Sequence, residues 1–147
     1  MNKTLKIWLC LWFFGCAVAQ AQEIVFHPSH EPAKKNAPYS DAVEANGFLF
    51  LAGQIGMDQK TRTLVPGGIK AEAEQTITNI EDVLKHHGLT LDHVVKCTVI
   101  LSTMDDFAAL NEVYVKYFPK KPARTTFAAS GIAFNGKVEI EVVAAKN

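Results

Sequence analysis

Two periods of hydrophobic spacing succeed one another along this chain. Apolar runs over Asp41 to Ala45 and Phe48 to Ala52 flank Asn46 and Gly47. Asn-Gly between such runs signals a hairpin, because both central positions of the tight turn need positive φ. From Ile69 the period lengthens. Ile69, Ala73, Ile77, Ile80, Leu84 and His87 recur every three or four residues and predict one apolar helix face, ended by Gly88. Val94 to Leu101 is continuous and β-rich, as for a well-buried strand. Phe107, Leu110, Tyr114, Tyr117 and Phe118 mark a second helix. It is entered through Thr103, Met104, Asp105 and Asp106, whose acids suit a first turn, and stopped by Pro119. Strands over Arg124 to Ser130 and Lys137 to Ala145 close the chain. In the last, Val138, Ile140 and Val142 face one way, Glu139 and Glu141 the other.

The predicted order is β-β-α-β-α-β-β, an α+β class in which two helices cover one face of a sheet. The other face would carry Glu139, Glu141 and Arg124, too polar for a simple core, and is expected to meet another subunit with the charged groups bordering a cleft. Residues 22–38 read as an irregular extended arm, and Gly53 to Gly56 with Asp58 to Gly68 as a polar loop. His86 and His87 fall in the last turn of the first helix, where protonated rings would favour the helix dipole.

The first 21 residues stand apart. Lys3 and Lys6, an apolar run from Ile7 to Phe14, and small-x-small sites ending at Ala19 and Ala21 predict a cleaved secretory leader. The run is too short to span a bilayer. Periplasmic or secreted location follows, with a lipoprotein acylated on Cys16 as the alternative. Cleavage leaves one domain over 22–147, with 13 basic side chains against 15 acidic ones. That balance predicts neither a nucleic-acid partner nor a stable membrane partner. Lys34-Lys35 and Lys120-Lys121 are the candidates for a basic face and otherwise solvated loop charges. Cys10 and Cys16 fall in the leader, so Cys97 remains alone, a buried thiol without a disulfide partner in the subunit.

Only Arg62 and Arg124 among the 15 basic residues are arginine. Arg124 interrupts a strand-forming stretch, Pro122 to Phe127, and a half-buried guanidinium must find an acceptor. Two readings follow: a clamp for a small anionic ligand, or an internal salt bridge to Glu139 or Glu141. No Cys/His cluster has metal-ligand spacing, since His27 and His30 lie in the arm. No Gly-x-Ser-x-Gly elbow is present, and Pro66-Gly67-Gly68 lacks the ending of a phosphate loop.

Five motifs in order carry a resemblance: Ala37-Pro38-Tyr39-Ser40-Asp41-Ala42; Leu51-Ala52-Gly53-Gln54-Ile55; Asp106 to Tyr114; Pro122-Ala123-Arg124-Thr125-Thr126; and Val138-Glu139-Ile140-Glu141-Val142. Together they resemble the RidA (YjgF) family of reactive-intermediate deaminases over roughly residues 24–145. The resemblance implies a chorismate-mutase-like α+β fold, with a mixed six-stranded sheet and two helices on one face. It also implies a homotrimer with sites between subunits, and cofactor-free hydrolysis of imines or enamines such as 2-aminoacrylate and 2-iminobutanoate to 2-oxo acids and ammonia. It places the carboxylate clamp on Arg124 and a general base or water holder on Glu139. Asn111 and Thr126 would position water or ammonia, Tyr39 would close the pocket, and Ala52 and Gly53 would line it. Glu139 beside Arg124 should stay ionised. Two departures stand out: Ala52 where the best-known branch has serine, and Thr126 where it has cysteine. A non-catalytic trimer that binds small carboxylates and an RNA-cleaving or translation-inhibiting relative are the rival readings.

Overall fold

The computed structural model describes residues 23–146. The leader read over residues 1–21, with Cys10 and Cys16, lies outside the described residues. Strand β1 (Val25–His27) pairs antiparallel with β2 (Ala42–Ala45), and β2 with β3 (Phe48–Leu51). The hairpin turn is the predicted one, with Asn46 at φ 49° and Gly47 at φ 77°. After the two-residue β4 (Gln54–Ile55) comes a small separate hairpin of β5 (Met57–Asp58) and β6 (Thr63–Leu64). The long helix α1 (Gly68–His86) leads to β7 (Val94–Leu101), α2 (Phe107–Tyr117), β8 (Ala123–Ala128) and β9 (Val138–Ala145).

The main sheet runs β1-β2-β3-β9-β7-β8, with β4 also paired to β9. It has seven strands, against the five that periodicity predicts and the six that the resemblance implies. The arm donates β1, and the stretch taken as a polar loop donates β4. Three-residue and two-residue strands show no legible period; their pairing partners create them. All pairings are antiparallel except β7 with β8, which are joined through α2.

The helices lie on one face. Cys97, Val99 and Leu101 of β7 and Val138, Ile140 and Val142 of β9 are buried against Ile69, Ala73, Ile77, Ile80 and Leu84 of α1 and Leu110, Val113 and Tyr114 of α2. Ile80 and Leu84 are fully buried, so truncating either to alanine costs about 2–5 kcal/mol. α1 ends as its sequence asks: Gly88, at φ 72°, donates to Lys85 O at 3.0 Å while Leu89 N reaches Leu84 O at 2.9 Å. These are the two bonds of a Schellman stop.

α1 also carries polar pegs. Asn79 Nδ2 donates to Ile55 O at 3.0 Å and to Met57 O at 2.9 Å. Glu72 Oε2 accepts from Lys137 N at 2.7 Å. A buried amide and a buried carboxylate thus satisfy backbone groups of two loops that the sheet leaves unpaired. Gly56 lies so close to α1 that a Cβ on it would stand 2.6 Å from Glu72 Cα.

The C-terminal end of α1 meets the arm through histidines. The His27 ring lies 4.5 Å from His87, and His30 stacks on His86 at 4.7 Å. Burial first, then the charges of His27, His86 and Lys146, hold His87 below the ordinary histidine range, with Glu44 opposing. The helix-dipole role open to a protonated ring is therefore disfavoured at His87: its surroundings favour the neutral form. Unfolding then takes up a proton. Stability is complete above the ordinary histidine pKa of about 6.5 and is lost as pH falls through it toward the lower folded value. The urea midpoint should drop between about pH 7.5 and about pH 5.5, and His87→Gln should reduce that drop. An identical pH dependence in both proteins would dismiss His87 as its source.

Candidate functional site

The structure divides the predicted site residues into two groups. Tyr39, Ala52, Gly53 and Glu139 line one cleft of about 290 Å³, together with Lys34, Gln54, Arg62 and Phe134. Arg124, Thr126 and Asn111 lie elsewhere, at the β8 edge beneath α2. The expectation that Arg124 shares a face with Glu139 is corrected. Register decides it: Arg124 pairs with Cys97 and Thr126 with Val99, residues buried against the helices, whereas Glu139 pairs with Ile100 on the open face.

The cleft is built by close approach. Glu139 sits on β9 opposite Ile55 of β4. A Cβ at position 53 would come within 2.1 Å of Glu139 Oε1, so the absence of a side chain at Gly53 makes room for the carboxylate. Burial pushes the Glu139 carboxyl up, and the Glu141 carboxylate adds to the rise. Within one subunit Arg124 does not stand beside Glu139, so no guanidinium of its own chain offsets that rise.

The arm brings Tyr39 to the rim. Ser29 Oγ donates to Asp41 at 2.5 Å, and Lys34 Nζ donates to Gln54 Oε1 at 3.1 Å while lying 3.8 Å from Asp41. Lys34, taken from sequence as a solvated loop charge or part of a basic face, has a side chain only 10% exposed. Across the cleft Phe134 is exposed and held at φ 60° in the loop before β9.

The second group centres on Arg124. Its guanidinium carbon lies 4.5 Å from the Tyr114 ring centroid and 5.5 Å from that of Phe107. Cation–π contact holds the plane of the fork without consuming its acceptor requirement. Among the described residues no acid pairs with Arg124, so the salt bridge to Glu139 or Glu141 does not form. The hydroxyl of Thr126 is buried without a hydrogen-bond partner among the described residues, and that of Tyr114 lies against the Cys97 thiol. Asn111 falls between Phe107 and Tyr114 on the same helical stripe. Beneath lies Cys97, fully buried, whose thiol is pushed up by burial; it is the inert group expected.

A model of the family described as Endoribonuclease L-PSP matches residues 29–146. A 2-iminobutanoate/2-iminopropanoate deaminase of Capra hircus is 44% identical over 108 residues, which are 73% of this chain and 79% of that protein. The chain belongs to the RidA (YjgF) family. A further relative, a RutC family protein of Pyrococcus horikoshii, is 42% identical over 85% of this chain and 98% of its own length. Among solved structures, the RidA of a Psychrobacter species is 35% identical with a TM-score of 0.71, covering 81% of this chain and 93% of that one. A putative endoribonuclease of Thermotoga maritima is 37% identical with a TM-score of 0.74, covering 82% and 92%.

These relatives correct one expectation. The leader and the periplasmic location find no support among them. The family match begins at Ser29, and the one compartment given by these names is the chloroplast, for an Arabidopsis thaliana Reactive Intermediate Deaminase A that is 39% identical over 108 residues. No helix among the described residues is long and apolar enough to cross a membrane.

Sequence reasoning did not nominate Lys34, Arg62 or Phe134. Arg62 had a signal. Asp58 Oδ1 accepts from the backbone N–H groups of Lys60 and Thr61, both at 2.8 Å, and Arg62 N closes the turn on Asp58 O at 2.9 Å. An aspartate whose side chain can bond the backbone two residues on marks such a turn. Arg62 ends it at φ 60°, a left-handed backbone that costs a non-glycine residue roughly 1–2 kcal/mol.

In Arg124→Ala, where no guanidinium can offset the rise, carboxyl-detected NMR titration should find Glu139 protonating above the ordinary glutamate range. Glu141→Gln should lower that value by removing the like charge. Gly53→Ala should alter it by displacing the side chain. An unshifted Glu139, indifferent to both substitutions, would contradict the cleft geometry.

Proposed function

We propose that the chain hydrolyses small 2-imino acids, of the 2-iminobutanoate, 2-iminopropanoate and 2-aminoacrylate type, to 2-oxo acids and ammonia, at sites completed between the subunits of a homotrimer. The observation that carries this reading is Arg124, half-buried over two aromatic rings without an acid partner. An unpaired guanidinium so placed awaits an anion. The deaminase relatives supply its chemistry: a carboxylate beside an imine carbon.

Assembly follows from the split site. Arg124, Thr126 and Asn111 of one subunit would face Tyr39, Gly53 and Glu139 of the next. The open sheet face suits such burial, since Phe26, Phe48, Phe50 and Phe127 are all exposed, and Phe26, Val43, Phe50 and Val143 form one lateral row by register. A monomer rarely leaves so much aromatic surface in water.

The reaction asks mainly for orientation. Arg124 holds the carboxylate bidentately, fixing the imine carbon. Glu139 takes a proton from water as its oxygen adds to that carbon and the imine nitrogen gains a proton. The C–N bond of the resulting aminol then breaks, ammonia leaves, and the carbonyl forms. Thr126 and Asn111, with their free polar groups, position water and the departing ammonia. Ala52 contributes only its methyl, so no hydroxyl from this position enters the chemistry.

Arg124→Ala should abolish accelerated hydrolysis of freshly generated 2-iminobutanoate while the trimer persists in light scattering. Arg124→Lys should recover little, since a point charge does not reproduce the fork. Trimers mixed from Arg124→Ala and Glu139→Gln chains should regain activity at about a quarter of their sites, where both intact halves meet. Binding of 2-oxo acids without imine turnover would instead make the wild-type chain a carboxylate binder. RNA binding with steep salt dependence would favour the nuclease reading.

A further inference from the structure

We propose that Arg62 adapts this cleft to imines bearing a second acid group, those derived from dicarboxylic amino acids, by holding the distal carboxylate while Arg124 holds the one beside the imine carbon. The inference rests on the imine-hydrolase reading and specifies its substrate class.

The cleft holds two cations, and only one is spent. Lys34 is buried against Asp41 and Gln54, which satisfy its ammonium group. Arg62 makes one side-chain hydrogen bond among the described residues, from Nη1 to the neutral Gln59 Oε1 at 2.9 Å. It pairs with no carboxylate there, Glu139 of the same cleft included. Gln59 steadies one arm of the fork and leaves the remaining N–H groups to a guest. A monocarboxylic imine has one acid group, already assigned to Arg124 across the seam. Arg62 would then be surplus, and a half-buried guanidinium beside a substrate cleft is a costly surplus.

Its placement is independent evidence. Arg62 occupies the left-handed last position of the Asp58–Arg62 turn, where glycine would sit without strain. The turn gains from the long side chain only the one hydrogen bond to Gln59, whereas the cleft gains a charged wall. Phe134 and Ala133 of the same lining offer apolar surface for the methylenes between two carboxylates. The volume, about 290 Å³, is that of about ten waters in the liquid, and a five-carbon diacid fits within it.

The test compares two imines made in place by amino-acid oxidases with catalase present, one from 2-aminobutyrate and one from glutamate. The rate of 2-oxo acid release is measured against semicarbazide trapping. The wild-type chain should accelerate both, with kcat/KM for the dicarboxylic imine at least equal to that for the other. In Arg62→Gly the ratio of the two values should fall about 10- to 100-fold, the range expected for a lost charge-assisted hydrogen-bond pair. Melting should be no lower than in wild type, because glycine relieves the turn. An unchanged ratio, an equal fall for both substrates, or a wild-type chain inactive on the dicarboxylic imine alone would overturn the proposal. Calorimetry with 2-oxoglutarate and 2-oxobutanoate separates the two levels. If neither imine is accelerated yet Arg62→Gly loses the preference for the diacid, the hydrolase reading fails and the diacid site stands. If wild type shows no such preference in binding or turnover, the diacid site fails.

Discussion

Side-chain alternation along three neighbouring strands governs everything this molecule can do. β7 in the middle fixes which residues of β8 and β9 share a face. Arg124 and Thr126 fall with Cys97 and Val99 on the helix side, and Glu139 with Ile100 on the open side. A sheet offers no way around this, because moving a residue to the other face needs a one-residue slip that would expose the whole apolar set of its strand. Val138, Ile140 and Val142 are fully or almost fully buried, which makes such a slip prohibitive. A site needing both the guanidinium and the carboxylate therefore requires a second copy of the chain. The catalytic reading and the assembly are one inference.

The cleft half depends on polar contacts from the same helix that supplies the core. α1 turns Ile77, Ile80 and Leu84 toward the sheet, while Glu72 and Asn79 hold Lys137 and the Ile55–Met57 stretch. Glycine at 53 and 56 then permits the backbone to approach Glu139 and α1. Rigid support matters more here than strong binding, since water addition to an activated imine is limited by alignment. The stretch that looks like a loop in sequence is thus pinned at both ends.

Much of this was legible in the sequence. The Asn46-Gly47 hairpin, both helices, the Gly88 stop and β7 carry local signals that tertiary contacts only confirm, and the apolar stripe of α1 is the one its spacing describes. β1, β4, β5 and β6 were not legible. Each is two or three residues long, too short for a period, and exists because a partner strand offers hydrogen bonds. Parity within a strand was also readable, as Glu139 and Glu141 show. The register between strands was not, and it alone decides that Arg124 and Glu139 lie apart. Lys34 misled for a related reason: nothing local reveals that a dilysine in a proline-rich arm folds onto Asp41, seven residues on.

The protonation of Glu139 ties these points together. In the single chain its carboxyl is pushed up by burial and by Glu141, toward the range in which a general base works best. A guanidinium facing it from a neighbouring subunit acts in the opposite sense, favouring the carboxylate within a few ångströms of the opposite charge. Assembly as proposed would complete the substrate clamp and set the Glu139 carboxylate against a cation that offsets part of that rise. The unassembled chain would then hold the base without the anion clamp, and hydrolysis needs both at one seam.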